Sequence, residues 1–189
     1  SESEYLTLVD ETGRERDFEK LDGVWQLTSD SLHEQLRLTQ QAGGRWTLVR
    51  EPDGKSLEFQ EVSGSSPLVA RLAKRSDSSN NQVEYIRDSS QRLVAIQDTY
   101  SGRALTIQWD SGRISSVTDP ENNTFTLLYE EDRLQLLEMP GGCLVEFDYD
   151  ENHRVISRGD VTSATTLYQY DESGRLTEIQ GPLDSGVRP

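Results

Sequence analysis

An arginine followed by an apolar residue returns at an almost constant interval through the second half of this chain. The slot holds Arg92, Arg113, Arg133, Arg154 and Arg175, and only the step from Arg113 to Arg133 is shorter than the others, by a single position. A fixed period of about 20 residues marks a repeat architecture, in which one supersecondary unit cannot bury its apolar face alone and must stack on its neighbours.

Alignment on the arginine exposes the rest of the unit. One residue further on stand Leu93, Ile114, Leu134, Val155 and Leu176. Four beyond the arginine stand Ile96, Val117, Leu137, Arg158 and Ile179, the fourth copy breaking the slot. Before the turn come Tyr85, Trp109, Tyr129, Tyr149 and Tyr170, the first displaced by two residues. Two residues before the later four are Ile107, Leu127, Phe147 and Tyr168, and two earlier again Leu105, Phe125, Val145 and Thr166. This alternation is the period-two pattern of a half-buried strand.

The turns are short and polar, as in Asp110-Ser111-Gly112, Glu130-Glu131-Asp132, Asp150 to His153 and Asp171 to Gly174. Asp opens most of them because its carboxylate can accept a backbone N–H two residues on. A second turn follows each returning strand, at Asp98 to Gly102, Asp119 to Asn123 and Pro140 to Gly142. The expected fold is therefore all-β: an antiparallel meander of stacked hairpins forming a curved or spiralling sheet. The returning strand leaves one question open. Residues one and four beyond the arginine have opposite parity in an ideal strand, so either a bulge re-aims one of them or both faces are partly covered.

These residues resemble the YD repeat, in which Tyr-Asp is followed by two or three turn residues, often ending in Gly, and then by Arg-Leu and a β-branched residue. Tyr170-Asp171 through Gly174, Arg175, Leu176 and Ile179 fit it fully, and Tyr149-Asp150 fits without the Gly. Trp109-Asp110 substitutes Trp for Tyr, Tyr129-Glu130 substitutes Glu for Asp, and Tyr85 to Asp88 is the weakest copy. Leu6 to Arg14, with Phe18 and Trp25, and Trp46 to Phe59 look like the stretch that leads into such repeats. The resemblance is to the Rhs family of bacterial polymorphic toxins, with the insecticidal toxin complexes and the teneurins. It implies a lead-in over residues 1–65 and about five repeats over 66–189.

The resemblance further implies a sheet that spirals into a hollow shell enclosing a C-terminal toxin. The parent protein would be secreted or delivered to rival cells by a bacterial secretion system, the type VI route among them. The partners so implied are the rest of the shell, the toxin domain and secretion spike proteins. Family members are much longer, so the chain is expected to be a piece of one. No toxin domain, signal peptide or self-cleavage motif is expected within this piece. Asp119-Pro120 is similar to part of that cleavage motif, but Asp98 and Asp160 occupy the same slot, which makes it an ordinary repeat turn.

Composition excludes several classes. The net charge of −15 disfavours the phosphate backbone of nucleic acid and anionic membranes. No run approaches the roughly 18 apolar residues of a membrane span. Hydrophobic content of 33% is low, which one wetted sheet face explains better than disorder, because the apolar residues alternate.

No catalytic residue, metal ligand or cofactor is assigned. The single cysteine, Cys143, reads as a small buried hydrophobe, since only His33 and His153 could activate it. Glu130-Glu131-Asp132 and Asp148 to Glu151 could offer oxygen ligands to Ca²⁺, but read better as solvated turns. The arginines read as partners of their own turn carboxylates, Arg175 with Asp171 for instance, setting the register. Ser63 to Pro67 reads as a long loop between hairpins, Pro52-Asp53-Gly54 as a hairpin turn, and Ser29 to Ser31 as a loop or the cap of a short helix. The expectation is a non-catalytic structural module. The alternative is a carbohydrate- or protein-binding adhesion module that would use exposed aromatics among Trp25, Trp46, Trp109 and the seven tyrosines. Open sheet edges add an expectation of edge-strand self-association.

Overall fold

Alternating side chains and Asp- or Gly-marked turns produce strands throughout the described residues. The computed structural model describes residues 4–9, 15–28, 36–50, 53–160 and 164–181. Among these residues there are 17 strands and no helix. They fall into two compact units that divide between Ala104 and Leu105. Residues 10–14, the loop or cap expected at Ser29 to Ser31, Pro52 and the segment beyond Gly181 lie outside the described residues.

The first unit contains β1 (Tyr5–Val9), β2 (Glu15–Leu21), β3 (Val24–Leu27), β4 (Leu36–Gln41), β5 (Arg45–Arg50), β6 (Lys55–Glu61), β7 (Ala70–Ser76), β8 (Gln82–Arg87) and β9 (Leu93–Asp98). Each pairs antiparallel with the next. Phe18, Trp25, Leu38, Trp46 and Leu48 are buried, with Leu6, Leu8, Leu57, Phe59 and Ala70 packed on them. Leu6 and Leu8 of β1 thus reach the same core as Phe59 of β6 and Ala70 of β7, so this part of the sheet rolls around its apolar face. Trp25 and Trp46 meet edge to face at 5.5 Å and 66°. The Trp46 indole N–H donates to Glu61 at 2.8 Å. A Cβ on Gly44 would stand 2.7 Å from that same carboxylate, and Gly44 has φ +70. The turn and the Glu61 contact therefore both require glycine there.

The hairpin β6–β7 carries a repeat copy that the arginine period had not revealed. Phe59 lies opposite Leu72, while Glu58 lies opposite Lys74, so Ala73 is skipped. Arg71 precedes Leu72 and stands one full period before Arg92. The loop 62–69 separates Phe59 from its arginine and hides the copy. That loop contains Ser63 to Pro67. Strand β7 starts at Ala70, just after Val69, whose N–H donates to the Ser65 hydroxyl at 2.9 Å.

The second unit holds β10 (Ala104–Asp110) from its second residue, β11 (Arg113–Thr118), β12 (Thr124–Glu130), β13 (Arg133–Met139), β14 (Cys143–Tyr149), β15 (Val155–Asp160), β16 (Thr165–Tyr170) and β17 (Leu176–Gln180). Each again pairs antiparallel with the next. Val145 is the only buried hydrophobic residue described in this unit, and the aromatic face is half-buried.

The open question of parity is settled by a bulge in every repeat hairpin. Trp109 opposes Ile114 while Gln108 opposes Ser116, which skips Ser115. Gln135, Ile156 and Thr177 are skipped in the same way, as is Val94 in β9. One extra residue re-phases the returning strand, so the residues one and four beyond the arginine share a face. Ile114 and Val117 then oppose Trp109 and Ile107.

Replacing Phe18, which is fully buried, by Ala should destabilise the protein by about 3–5 kcal/mol. Urea unfolding followed by tryptophan fluorescence reads this directly, since Trp25 and Trp46 share its cluster.

Candidate functional site

The recurring feature with a defined chemistry is the turn and the arginine that leaves it. In the Asp-opened turns, the Oδ1 of Asp88, Asp150 and Asp171 accepts the backbone N–H of Arg92, Arg154 and Arg175 at 2.9 Å. Asp88 and Asp150 also accept the N–H two residues on, from Ser90 and Asn152. The residue before each arginine adopts positive φ: Gln91 at 65, His153 at 61 and Gly174 at 79. The guanidinium then returns to the same carboxylate, at 2.8 Å for Arg92–Asp88, 2.7 Å for Arg154–Asp150 and 3.4 Å for Arg175–Asp171.

Two turns on the opposite side of the hairpins copy this loop with Asn in place of Arg. Asn81 and Asn123 donate to Asp77 and Asp119 at 2.8 Å. Asp119-Pro120 is therefore the opening of a structural turn. Accepted backbone N–H groups hold the carboxyls of Asp88 and Asp150 below their ordinary range, with the arginine side chains adding to this. The Asn81 side-chain amide is the first cause for Asp77.

The arginines also act across repeats. Arg113 lies over the Tyr129 ring at 5.4 Å, Arg133 over Tyr149 at 5.8 Å and Arg154 over Tyr170 at 4.8 Å. In return, the Tyr149 hydroxyl donates to the Leu134 carbonyl and the Tyr170 hydroxyl to the Val155 carbonyl, both at 2.8 Å. Each of these two tyrosines thus satisfies the carbonyl next to the arginine that covers its ring. Arg154 additionally donates to the Asp171 carbonyl at 3.3 Å. Arg113 leaves its own short turn altogether and bonds the Glu131 carbonyl and the Asp132 carboxylate of the next. Arg133 pairs with Glu131 of its own turn at 3.2 Å. In all three stacked pairs the tyrosine follows the arginine at one constant sequence offset, which the sequence displays and which alignment on single slots overlooks.

Tyr85 does not take part in this arrangement. It lies opposite Ile96, and the slot before the turn is filled by Arg87 opposite Leu93. The other candidate groups do not converge on one another. Cys143 is half-buried at the start of β14, opposite Met139, whereas His153 sits in the turn beyond the far end of that strand. Asp148 accepts from Ser157 at 2.6 Å and Glu130 from Gln135 at 3.0 Å. Among the described residues, no group of three or more His, Cys, Asp or Glu could hold a metal ion. Trp25 and Trp46 are core residues, while Trp109 is half-buried in β10.

Removing one clasp hydroxyl, in Tyr149→Phe or Tyr170→Phe, should cost about 0.5–1.5 kcal/mol in chemical denaturation. A double-mutant cycle between Arg133 and Tyr149 should return a coupling of about 0.5–1 kcal/mol; additive single effects would mean that the stacking contributes nothing. The carboxyls of Asp77, Asp88 and Asp150 predict the acid limb. Their folded values lie below the unfolded value of about 3.9, so their contribution is complete above that pH and is lost as pH falls through the folded values. The melting temperature should fall below about pH 4, and less so in the Asp88→Asn/Asp150→Asn variant.

Comparison with known proteins agrees with this geometry. The RHS Repeat family model matches residues 149–185, which include Tyr149, Arg154, Tyr170 and Arg175. A curated relative, "Probable deoxyribonuclease RhsA" of Dickeya dadantii (strain 3937), is 27% identical over 144 residues, covering 69% of this chain and 10% of that protein. The chain thus spans about a tenth of the length of this relative. Two solved structures share the fold: TcdB2-TccC3 without its hypervariable C-terminal region, and TcdB2-TccC3-Cdc42. Each gives a TM-score of 0.50 at 12% identity, over 94% of this chain and 12% of theirs. The matched repeat, its recurrence upstream at the same slots and the Rhs-named relative together support an Rhs/YD-repeat family for this chain.

Proposed function

We propose that this chain is a section of the wall of an Rhs-type toxin shell, and that its role is to help enclose a C-terminal toxin domain until delivery. The observation that carries this reading is the clasp repeated at three successive junctions, from Arg113–Tyr129 to Arg154–Tyr170. A wall needs identical hairpins locked to one another in fixed register. It needs no reacting group, and the carboxylates and arginines of the ladder are engaged in holding turns. A half-buried apolar face suits a layer that continues into further repeats or covers an enclosed chain. The lead-in over residues 1–65 would start such a wall. The solved relative described without its hypervariable C-terminal region supports a variable domain downstream of the repeats. Delivery by a secretion system, spike partners and use against rival cells belong to this same reading. The adhesion alternative calls for exposed aromatics; Trp25 and Trp46 are buried, while Tyr5 and Tyr100 are exposed.

The test uses the intact parent protein. Its downstream segment should resist protease while the wall is whole. In an Arg133→Ala/Arg154→Ala variant, cleavage of that segment should accelerate about tenfold, as a loss of roughly 1.4 kcal/mol raises the open population. A downstream segment cleaved equally fast in both proteins would overturn the proposal.

A further inference from the structure

The hidden repeat copy creates a junction unlike the others. Arg71 holds the arginine slot of its hairpin. At the offset where the later junctions place tyrosine stands Arg87. The register Lys74 with Glu84 and Arg75 with Val83 runs β7 against β8 and carries Arg71 toward Arg87 across the ladder. Like charges facing across strands are destabilising. Arg87 is half-buried. Its Nη1 donates to the Gln91 carbonyl at 3.2 Å, but its Nε is buried and has no hydrogen-bond partner. Among the described residues, neither Arg71 nor Arg87 has a carboxylate partner in an ion pair, although the chain carries 34 acidic residues. Burial, and then the charge of Arg71, pull the Arg87 guanidinium below its ordinary value.

We propose that Arg71 and Arg87 form an oxyanion-binding site, in which a carboxylate or phosphate group takes the place that the tyrosine ring fills at the other junctions. Two guanidinium groups present planar donor forks suited to bidentate capture of such an oxyanion. The anion relieves the repulsion between the cations and supplies the acceptor that Arg87 Nε lacks. A neutral or cationic ligand would not do both. The oxyanion can come from free inorganic phosphate or from an acidic side chain of a protein segment, and the two sources are separable.

Thermal melting of the chain in sodium phosphate and in sodium chloride, at matched ionic strength, tests the site. Phosphate should raise the melting temperature beyond chloride, saturably. A short glutamate-containing peptide is the second arm. Stabilisation by phosphate alone marks a free-oxyanion site, and stabilisation by the peptide marks a protein carboxylate as the natural occupant. Arg87→Tyr restores the tyrosine of the other junctions. It should melt higher than the parent chain without added anion and should lose the anion-specific gain. Arg71→Gln, at an exposed position, should weaken anion binding about tenfold without restoring the clasp. Equal melting in phosphate, peptide and chloride would overturn the proposal, as would an undiminished anion response in either variant.

Discussion

The side-chain alternation of a β-strand is rigid, and the repeat breaks it once per hairpin. Without the skipped residue, Ile114 and Val117 would point to opposite faces, and half of the apolar set would be wetted. With Ser115 bulged out, both oppose the aromatic strand. The bulge also bends the returning strand and increases its local twist next to the turn. At that place Arg113, Arg133 and Arg154 reach across to the tyrosine of the next hairpin. Register, burial and the link between repeats thus depend on one extra residue, which recurs as Gln135, Ile156 and Thr177.

The two units are stabilised by different means. The first has an apolar core with two tryptophans in edge contact, and removal of one large side chain from it costs several kcal/mol. The second has little buried volume and relies on sums. A cation over an aromatic ring contributes about 0.5–1 kcal/mol at exposed sites, a hydroxyl bonded to a carbonyl about 0.5–1.5 kcal/mol, and an exposed ion pair at most about 1 kcal/mol. None of these decides the fold alone. Repeated at each junction, they behave as nearest-neighbour couplings in a linear array, in which a weakened clasp loosens its own junction first.

Much of this was legible in the sequence for physical reasons. Alternation names a strand face because the pleat has a period of two, and Asp before a short polar run names a turn because its carboxylate reaches the backbone N–H groups ahead. The family resemblance rested on those same slots. What alternation cannot show is a bulge, since an inserted residue looks like a change of face. The copy at Arg71 was hidden because loop 62–69 separates it from Phe59, and a search on turn length passes over it. The pairing of each arginine with its own turn held for Arg92, Arg133, Arg154 and Arg175. It failed for Arg113, whose turn is closed by Ser111 and Gly112 at φ 47 and 82; its guanidinium goes to the next turn.

An array of equivalent slots also makes its exceptions readable. Arg158 replaces an aliphatic residue at one slot, but it is exposed in β15 and its charge stays in water. Arg87 replaces a tyrosine at a half-buried slot and leaves a buried nitrogen unbonded. A side chain that ladder chemistry does not satisfy costs stability where tyrosine would contribute it. Sequences that specify a fold keep such local conflicts mainly where something other than stability maintains them. The same regularity that assigns the ladder arginines to structure therefore sets Arg87 apart from them.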